Sequence, residues 1–140
     1  MAGTIVADTI QADSTSTLVL KNGVANTPPT IQDSAGTQIG TFCRAWVNFN
    51  GTTNTGGFCT IRGSFNVTSV ADNGTGDYTV NFTNALPDAN YSYVFGGSLN
   101  RRLQLQNTGS VATTSTIRVQ SQDNVNSAAD AEAFNVAIFR

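Results

Sequence analysis

The eight Phe, three Tyr and one Trp of this 140-residue chain all lie between Phe42 and Phe139, and the first 41 residues contain none. A segment without aromatic side chains buries too little apolar surface to offset the entropy of ordering its own backbone. The chain therefore divides into two unequal parts, an extended N-terminal arm or anchor over residues 1–41 and a folding unit over residues 42–140. Short strand-like pieces recur in the arm at residues 4–7, 10–11, 17–20 and 30–32, separated by the turn signals Asn22-Gly23, Pro28-Pro29 and Ser34-Ala35-Gly36. Regular apolar alternation with few charges favours burial against other chains over a free flexible arm. Ile5, Val6, Ile10, Leu18, Val19, Leu20 and Ile31 are the expected anchoring contacts. Pairing them with neighbours would also cover exposed strand edges.

From Phe42 onward the pattern becomes longer runs of period-two alternation. Arg44-Ala45-Trp46-Val47-Asn48-Phe49 ends at Asn50-Gly51, which reads as a turn. Residues 58–70 read as two strands hinged at Gly63, and Tyr78, Val80 and Phe82 share one face of the next strand. Further strands are expected at 91–95, around Leu103 and Leu105, at 115–119 and at 133–140, with a loop at 123–132. Seven or eight short strands separated by frequent turns predict an all-β fold, an antiparallel β-sandwich following an extended β-arm. The last strand reaches the final residue, so that end of the chain is expected to be locked into a sheet.

Composition narrows the chemistry. A net charge of −2, with Arg101-Arg102 as the sole adjacent basic pair, gives no phosphate-binding footprint, so no nucleic-acid partner is expected. No apolar run approaches a membrane span, and the first residues lack the basic and apolar regions of a secretory signal. Synthesis and assembly in a cytoplasm follow. In that setting Cys43 and Cys59, which alternate with apolar residues, read as buried free thiols. The Asn-x-Ser/Thr triplets at Asn50, Asn66, Asn73, Asn81 and Asn90 read as features of Asn/Thr-rich strands and turns, not as glycosylation acceptors.

With no His, the usual base for a Ser, Thr or Cys nucleophile is missing. A pair of carboxylates is the surviving catalytic option. Its candidates, Asp72, Asp77, Asp88, Asp123, Asp130 and Glu132, all fall in expected turns, where Asp is selected for bonding its own backbone. The 72–77 segment lacks the ligand spacing of a helix-loop-helix calcium loop, and two Cys without His make no zinc site. No catalytic residue, metal site or cofactor is expected, and the chain reads as a non-enzyme.

The runs Arg44-Ala45-Trp46-Val47-Asn48-Phe49-Asn50-Gly51-Thr52, Ile61-Arg62-Gly63-Ser64-Phe65-Asn66-Val67, Asp72-Asn73-Gly74-Thr75-Gly76-Asp77-Tyr78, Ala85-Leu86-Pro87-Asp88-Ala89-Asn90-Tyr91 and Val136-Ala137-Ile138-Phe139-Arg140 resemble a module of tail fibres and other virion structural proteins of tailed bacteriophages. Ile5-Val6-Ala7-Asp8-Thr9-Ile10-Gln11 and Thr30-Ile31-Gln32-Asp33-Ser34-Ala35-Gly36 are similar to the repeating lead-in of such fibres. The resemblance implies a homotrimer within a virion, assembled in the host bacterial cytoplasm, with other virion proteins of capsid or tail as partners. It implies a short fibre or spike, its arm anchored and its knob outward, or else a capsid decoration protein that cements the head shell. A stand-alone carbohydrate-binding module is a third reading. Trp46, Tyr91 and Tyr93 are the candidates for contact with a host-surface glycan or for a trimer interface. Trp46 alternates against Val47 and Phe49, which predicts an outward-facing ring.

Overall fold

The computed structural model describes residues 30–106 and 112–140. Ten strands occur among the described residues: β1 (Ile31–Gln32), β2 (Gln38–Gly40), β3 (Cys43–Thr55), β4 (Phe58–Phe65), β5 (Val67–Gly74), β6 (Asp77–Phe82), β7 (Ser92–Gly97), β8 (Arg102–Leu105), β9 (Thr116–Gln122) and β10 (Phe134–Phe139). β1 and β2 form a hairpin of their own, and the other eight make one antiparallel sheet in the order β7-β10-β3-β4-β5-β6-β9-β8, curled nearly into a barrel. The expected all-β, antiparallel architecture is present. Its two facing layers, β7-β10-β3-β4 and β5-β6-β9-β8, are halves of a single sheet.

The join between the halves explains the curl. β4 and β5 share one register pair, Phe58 with Ala71, backed by a bond from Asp72 N to Gly57 O of 2.9 Å. From there the strands diverge, and the chain crosses between layers at Asn66. This residue adopts φ of 54°, a left-handed conformation that Asn tolerates better than most side chains. Its amide donates to Arg44 O (3.0 Å) and Asn84 O (3.1 Å) and accepts from Asn84 N (2.8 Å). The hinge expected at Gly63 is therefore at Asn66. Gly63 lies inside β4, beside the Trp46 ring of the neighbouring strand.

Period-two alternation sorts the core. Ala45, Val47 and Phe49 on β3, Tyr78 and Val80 on β6, Ile117 and Val119 on β9, and Phe134, Val136 and Ile138 on β10 are all buried. Phe49, Tyr78 and Phe134 pack with ring centroids 5.2–5.5 Å apart, bringing β3 and β10 of one layer against β6 of the other. Each such ring contributes roughly 1.5–3 kcal/mol through removal from water. The cluster also corrects the reading of Asn50-Gly51 as a turn. β3 continues through it to a turn at Gly56-Gly57, with φ of 62° and 88°. A Cβ on Gly51 would sit 2.6 Å from both Phe134 Cε2 and Tyr78 Oη, so close packing requires this glycine. Asn50 instead caps an irregularity in the β3–β4 ladder, its Oδ1 accepting from Thr52 N (3.0 Å) and Thr52 Oγ1 (2.8 Å).

The final strand is interior to the sheet, paired with β3 on one side and β7 on the other. The 123–132 segment is a loop, as expected, turned by Asp123 and by Asn126 at φ of 65°. The β1–β2 hairpin is closed by Asp33, whose Oδ1 accepts from Ala35 N and Thr37 N, each at 2.9 Å. Ile31, Ile39 and Phe42 remain exposed beside it. Thr41 Oγ1 donates to Arg140 O (3.0 Å), so the lead-in enters the sheet at the C-terminal end of β10. Of the expected anchoring residues, Ile31 lies on β1, with its side chain over Gly40. Ile5, Val6, Ile10, Leu18, Val19 and Leu20 lie outside the described residues.

Candidate functional site

Because β3 and β10 are central in their layer and pair residue for residue, their outward positions form straight rows across four strands. One row reads Phe65, Trp46, Ala137, Val94 across β4, β3, β10 and β7. Trp46 is 42% exposed, with Phe65 and Val94 still more so, which makes a continuous apolar band on the outer surface. The adjacent row reads Gly63, Asn48, Asn135, Gly96. With glycine at both ends, this row is low. A Cβ on Gly63 would meet Trp46 Cη2 at 3.4 Å and Cζ3 at 3.5 Å, so the benzo edge of the indole reaches the neighbouring strand at this glycine. Asn48 Nδ2 donates to Asn135 Oδ1 at 2.7 Å, locking the two amides together. Between the rows runs a groove of about 310 Å³ bordered by Trp46, Val94, Gly96, Asn135 and Ala137, with no charged residue in its lining.

The three aromatic candidates do not converge. Trp46 faces outward, as its alternation predicts. Tyr93 pairs with Ile138 and so belongs to the opposite face of the sheet, where it stacks on Phe95 at 4.7 Å near the edge of β7. Tyr91 corrects the expectation outright. It is 8% exposed, its ring packs edge-on to Phe82, and its hydroxyl reaches Thr113 O and Thr116 O, each at 3.1 Å. It precedes β7 instead of lying on it, so strand alternation does not govern where it points. The residues that do accompany Trp46 (Asn48, Gly63, Gly96, Asn135) come from four strands. Only cross-strand register, invisible in local pattern, assembles them.

The carboxylates behave mainly as turn formers. Asp72 Oδ1 accepts from Gly74 N (2.9 Å), Asp88 Oδ1 from Asn90 N (2.8 Å), and Asp123 Oδ1 from Val125 N and Ser127 N (both 2.9 Å). Asp88 also pairs with Arg140. Asp72 makes its turn bond from within β5, and Asp130 and Asp77 depart from the expected turn role. Asp130 reaches inward from the 123–133 loop to accept from Tyr78 Oη and Gly76 N, both at 2.6 Å. Burial, and next the bond to Asp130, push the Tyr78 phenol far above its ordinary range. Asp77 begins β6 instead of lying in a turn, and takes a two-pronged bond from Arg118 at 2.9 and 2.6 Å. Among the described residues no three His, Cys, Asp or Glu side chains are grouped to hold a metal ion.

The Arg118 hydrogen bonds hold the Asp77 carboxyl below its ordinary value of 3.8, against the opposing effect of burial. A lowered folded-state pKa contributes stability that is present above pH 3.8 and lost as pH falls through the folded value. The chain has no His, so little titrates between pH 5 and 7. Thermal midpoints should be level across that span and fall below about pH 4. Asp77→Asn should lower the midpoint at pH 7 and flatten the acid limb; an unchanged limb would assign it to other groups.

Both thiols are free; Cys59 is buried as expected, whereas Cys43, at the start of β3, is only half-buried. Burial, with Asp72 and Asp130 adding to it, pushes Cys59 up to about 12. Thr60 pairs with Asn50, so Cys59 lies near the far end of β3 from Cys43. Seven residues along a strand span roughly 20 Å, far beyond the reach of a disulfide.

The chain matches no protein-family profile and no curated protein. Among solved structures it is similar to the phiAB6 tailspike, crystallised in complex with three-repeated oligosaccharides of Acinetobacter baumannii surface polysaccharide. The likeness is 14% identity at a TM-score of 0.44, and covers 88% of this chain and 30% of the tailspike. Similarity at that level does not establish a shared fold.

Proposed function

We propose that the chain is a non-enzymatic structural component of a tailed-bacteriophage virion, a short homotrimeric fibre or spike anchored through its N-terminal residues, with its β domain turned toward the host surface. The virion assignment is supported by the sequence resemblance centred on Arg44-Ala45-Trp46-Val47-Asn48-Phe49. The observation that carries the oligomeric reading is the lead-in hairpin. A ladder of two and three residues is marginal in water by itself. This one also leaves Ile39 65% exposed, with Ile31 and Phe42 beside it. Sister chains meeting along these side chains would give the hairpin the partner surface that its own domain does not supply. The bond from Thr41 to Arg140 ties that lead-in to one end of the sheet. The turns at Gly56-Gly57 and 74–77 and the 123–133 loop lie at the other end, free to face outward.

Sedimentation of Ile31→Asp/Ile39→Asp tests the reading. The variant should shift from the assembly to the single chain, while its far-ultraviolet spectrum keeps the strand signature of the β domain. Unchanged sedimentation would remove the hairpin from the interface.

A further inference from the structure

We infer that the groove beside Trp46 is a binding site for a neutral pyranose ring, with Trp46 as the stacking platform and the Asn48–Asn135 amide pair as the hydroxyl reader. The inference deepens the host-facing part of the proposed function and rests on it. The Trp46 indole is 42% exposed, and its benzo edge points toward Gly63, where a Cβ would stand 3.4–3.5 Å from Cη2 and Cζ3. A flat aromatic side chain with only two rotatable bonds loses little entropy on binding and offers its face to an apolar C–H surface.

Beside the ring, each amide spends one hydrogen-bonding group on the other, through Asn48 Nδ2 and Asn135 Oδ1. Asn48 Oδ1 and Asn135 Nδ2 are left with no partner among the described residues, an acceptor and a donor side by side. Asn135 is exposed, and its Nδ2 lies 3.7 Å from where a Cβ on Gly96 would stand. An adjacent acceptor and donor matches two vicinal hydroxyls, each of which both donates and accepts. The chemistry excludes other small ligands. An anion would find no cation in the lining, and a cation no carboxylate. A purely apolar ligand would strip water from the two amides without replacing its bonds. The groove, at about 310 Å³, is at the small end of ligand sites and suits one or two sugar rings.

Trp46 is the single Trp of the chain, so its fluorescence reports on this site without interference. The full-length protein is titrated with methyl β-galactoside, methyl α-glucoside, maltotriose and chitotriose, with sialyllactose as the charged comparison. At least one neutral sugar should shift Trp46 emission saturably at millimolar concentration. Asn48→Ala/Asn135→Ala should weaken that binding about tenfold or more at unchanged melting temperature, which corresponds to about 1.4 kcal/mol. Trp46→Ala, followed by calorimetry, should abolish it. No response to any neutral sugar up to 50 mM on the order of weak single-ring affinities would overturn the site, as would binding that survives both variants. If Trp46 emission in the wild-type assembly is blue-shifted and closed to iodide, and opens in Ile31→Asp/Ile39→Asp, a sister chain covers the ring. That outcome would overturn the sugar site while leaving the oligomeric reading intact.

Discussion

Phe134→Ala should lower the unfolding free energy by about 3–5 kcal/mol. The ring is fully buried and touches both Phe49 and Tyr78, at centroid separations of 5.5 and 5.4 Å. Because Phe49 is on β3 and Tyr78 on β6, the ring packs within its own layer and across to the other. Its removal leaves a cavity that neither layer can close alone, since the strands are fixed by their ladders. Against a typical total of about 5–15 kcal/mol, the loss is a large fraction of what holds a domain of this size together. Urea unfolding at pH 7 checks it: the midpoint should fall and the slope should stay constant. A loss below about 1 kcal/mol would mean that the layers are held mainly elsewhere, at the Asn66 crossing or the β4–β5 pair.

Gly76→Ala should cost about 3 kcal/mol or more, and its cause can be separated from ordinary turn strain. Gly76 has φ of +67°, and a Cβ there would stand 2.5 Å from Ser121 O and 2.8 Å from Ala129 N, both backbone atoms. Neither can yield without disturbing β9 or the 123–133 loop. Gly76 is held against both, to the loop by the bond from Gly76 N to Asp130 and to β9 by the bond from Ser121 N to Gly76 O. Gly56 is the control. Its φ of +62° is nearly the same, but nothing lies within 4 Å of its Cβ position. Gly56→Ala should therefore cost only the left-handed conformation, about 1–2 kcal/mol. Equal losses at the two sites would refute the close approach.

How much of this was legible beforehand depended on whether the deciding interaction was local. Alternation at 44–49 and 78–82 sorts Val47 and Phe49, and Tyr78 with Val80, onto one face each because a strand imposes period two on its own residues. Asn50-Gly51 was misread for the same reason. Its turn signal is local, whereas the need for Gly51 comes from Phe134 and Tyr78, 83 and 27 positions away in the chain. Gly63 and Asn66 exchanged roles similarly: the glycine lies beside a ring on the neighbouring strand, and the left-handed corner went to an Asn whose amide finds Arg44 and Asn84. In the candidate site, Trp46 was readable from its own strand. Its companions Asn48, Asn135, Gly63 and Gly96 were not, because register alone places them in one row. Tyr91 and Tyr93, two residues apart, seemed equivalent until the chain entered β7 only after Tyr91.

The proposed assembly is a β domain with its own core, carried by a lead-in whose apolar side chains sister copies would complete. Native mass spectrometry of the 140-residue chain at micromolar concentration tests this directly. The proposed trimer should give a species of three times 14.7 kDa that persists on dilution through that range. A mass of 14.7 kDa alone, at every concentration, would contradict it.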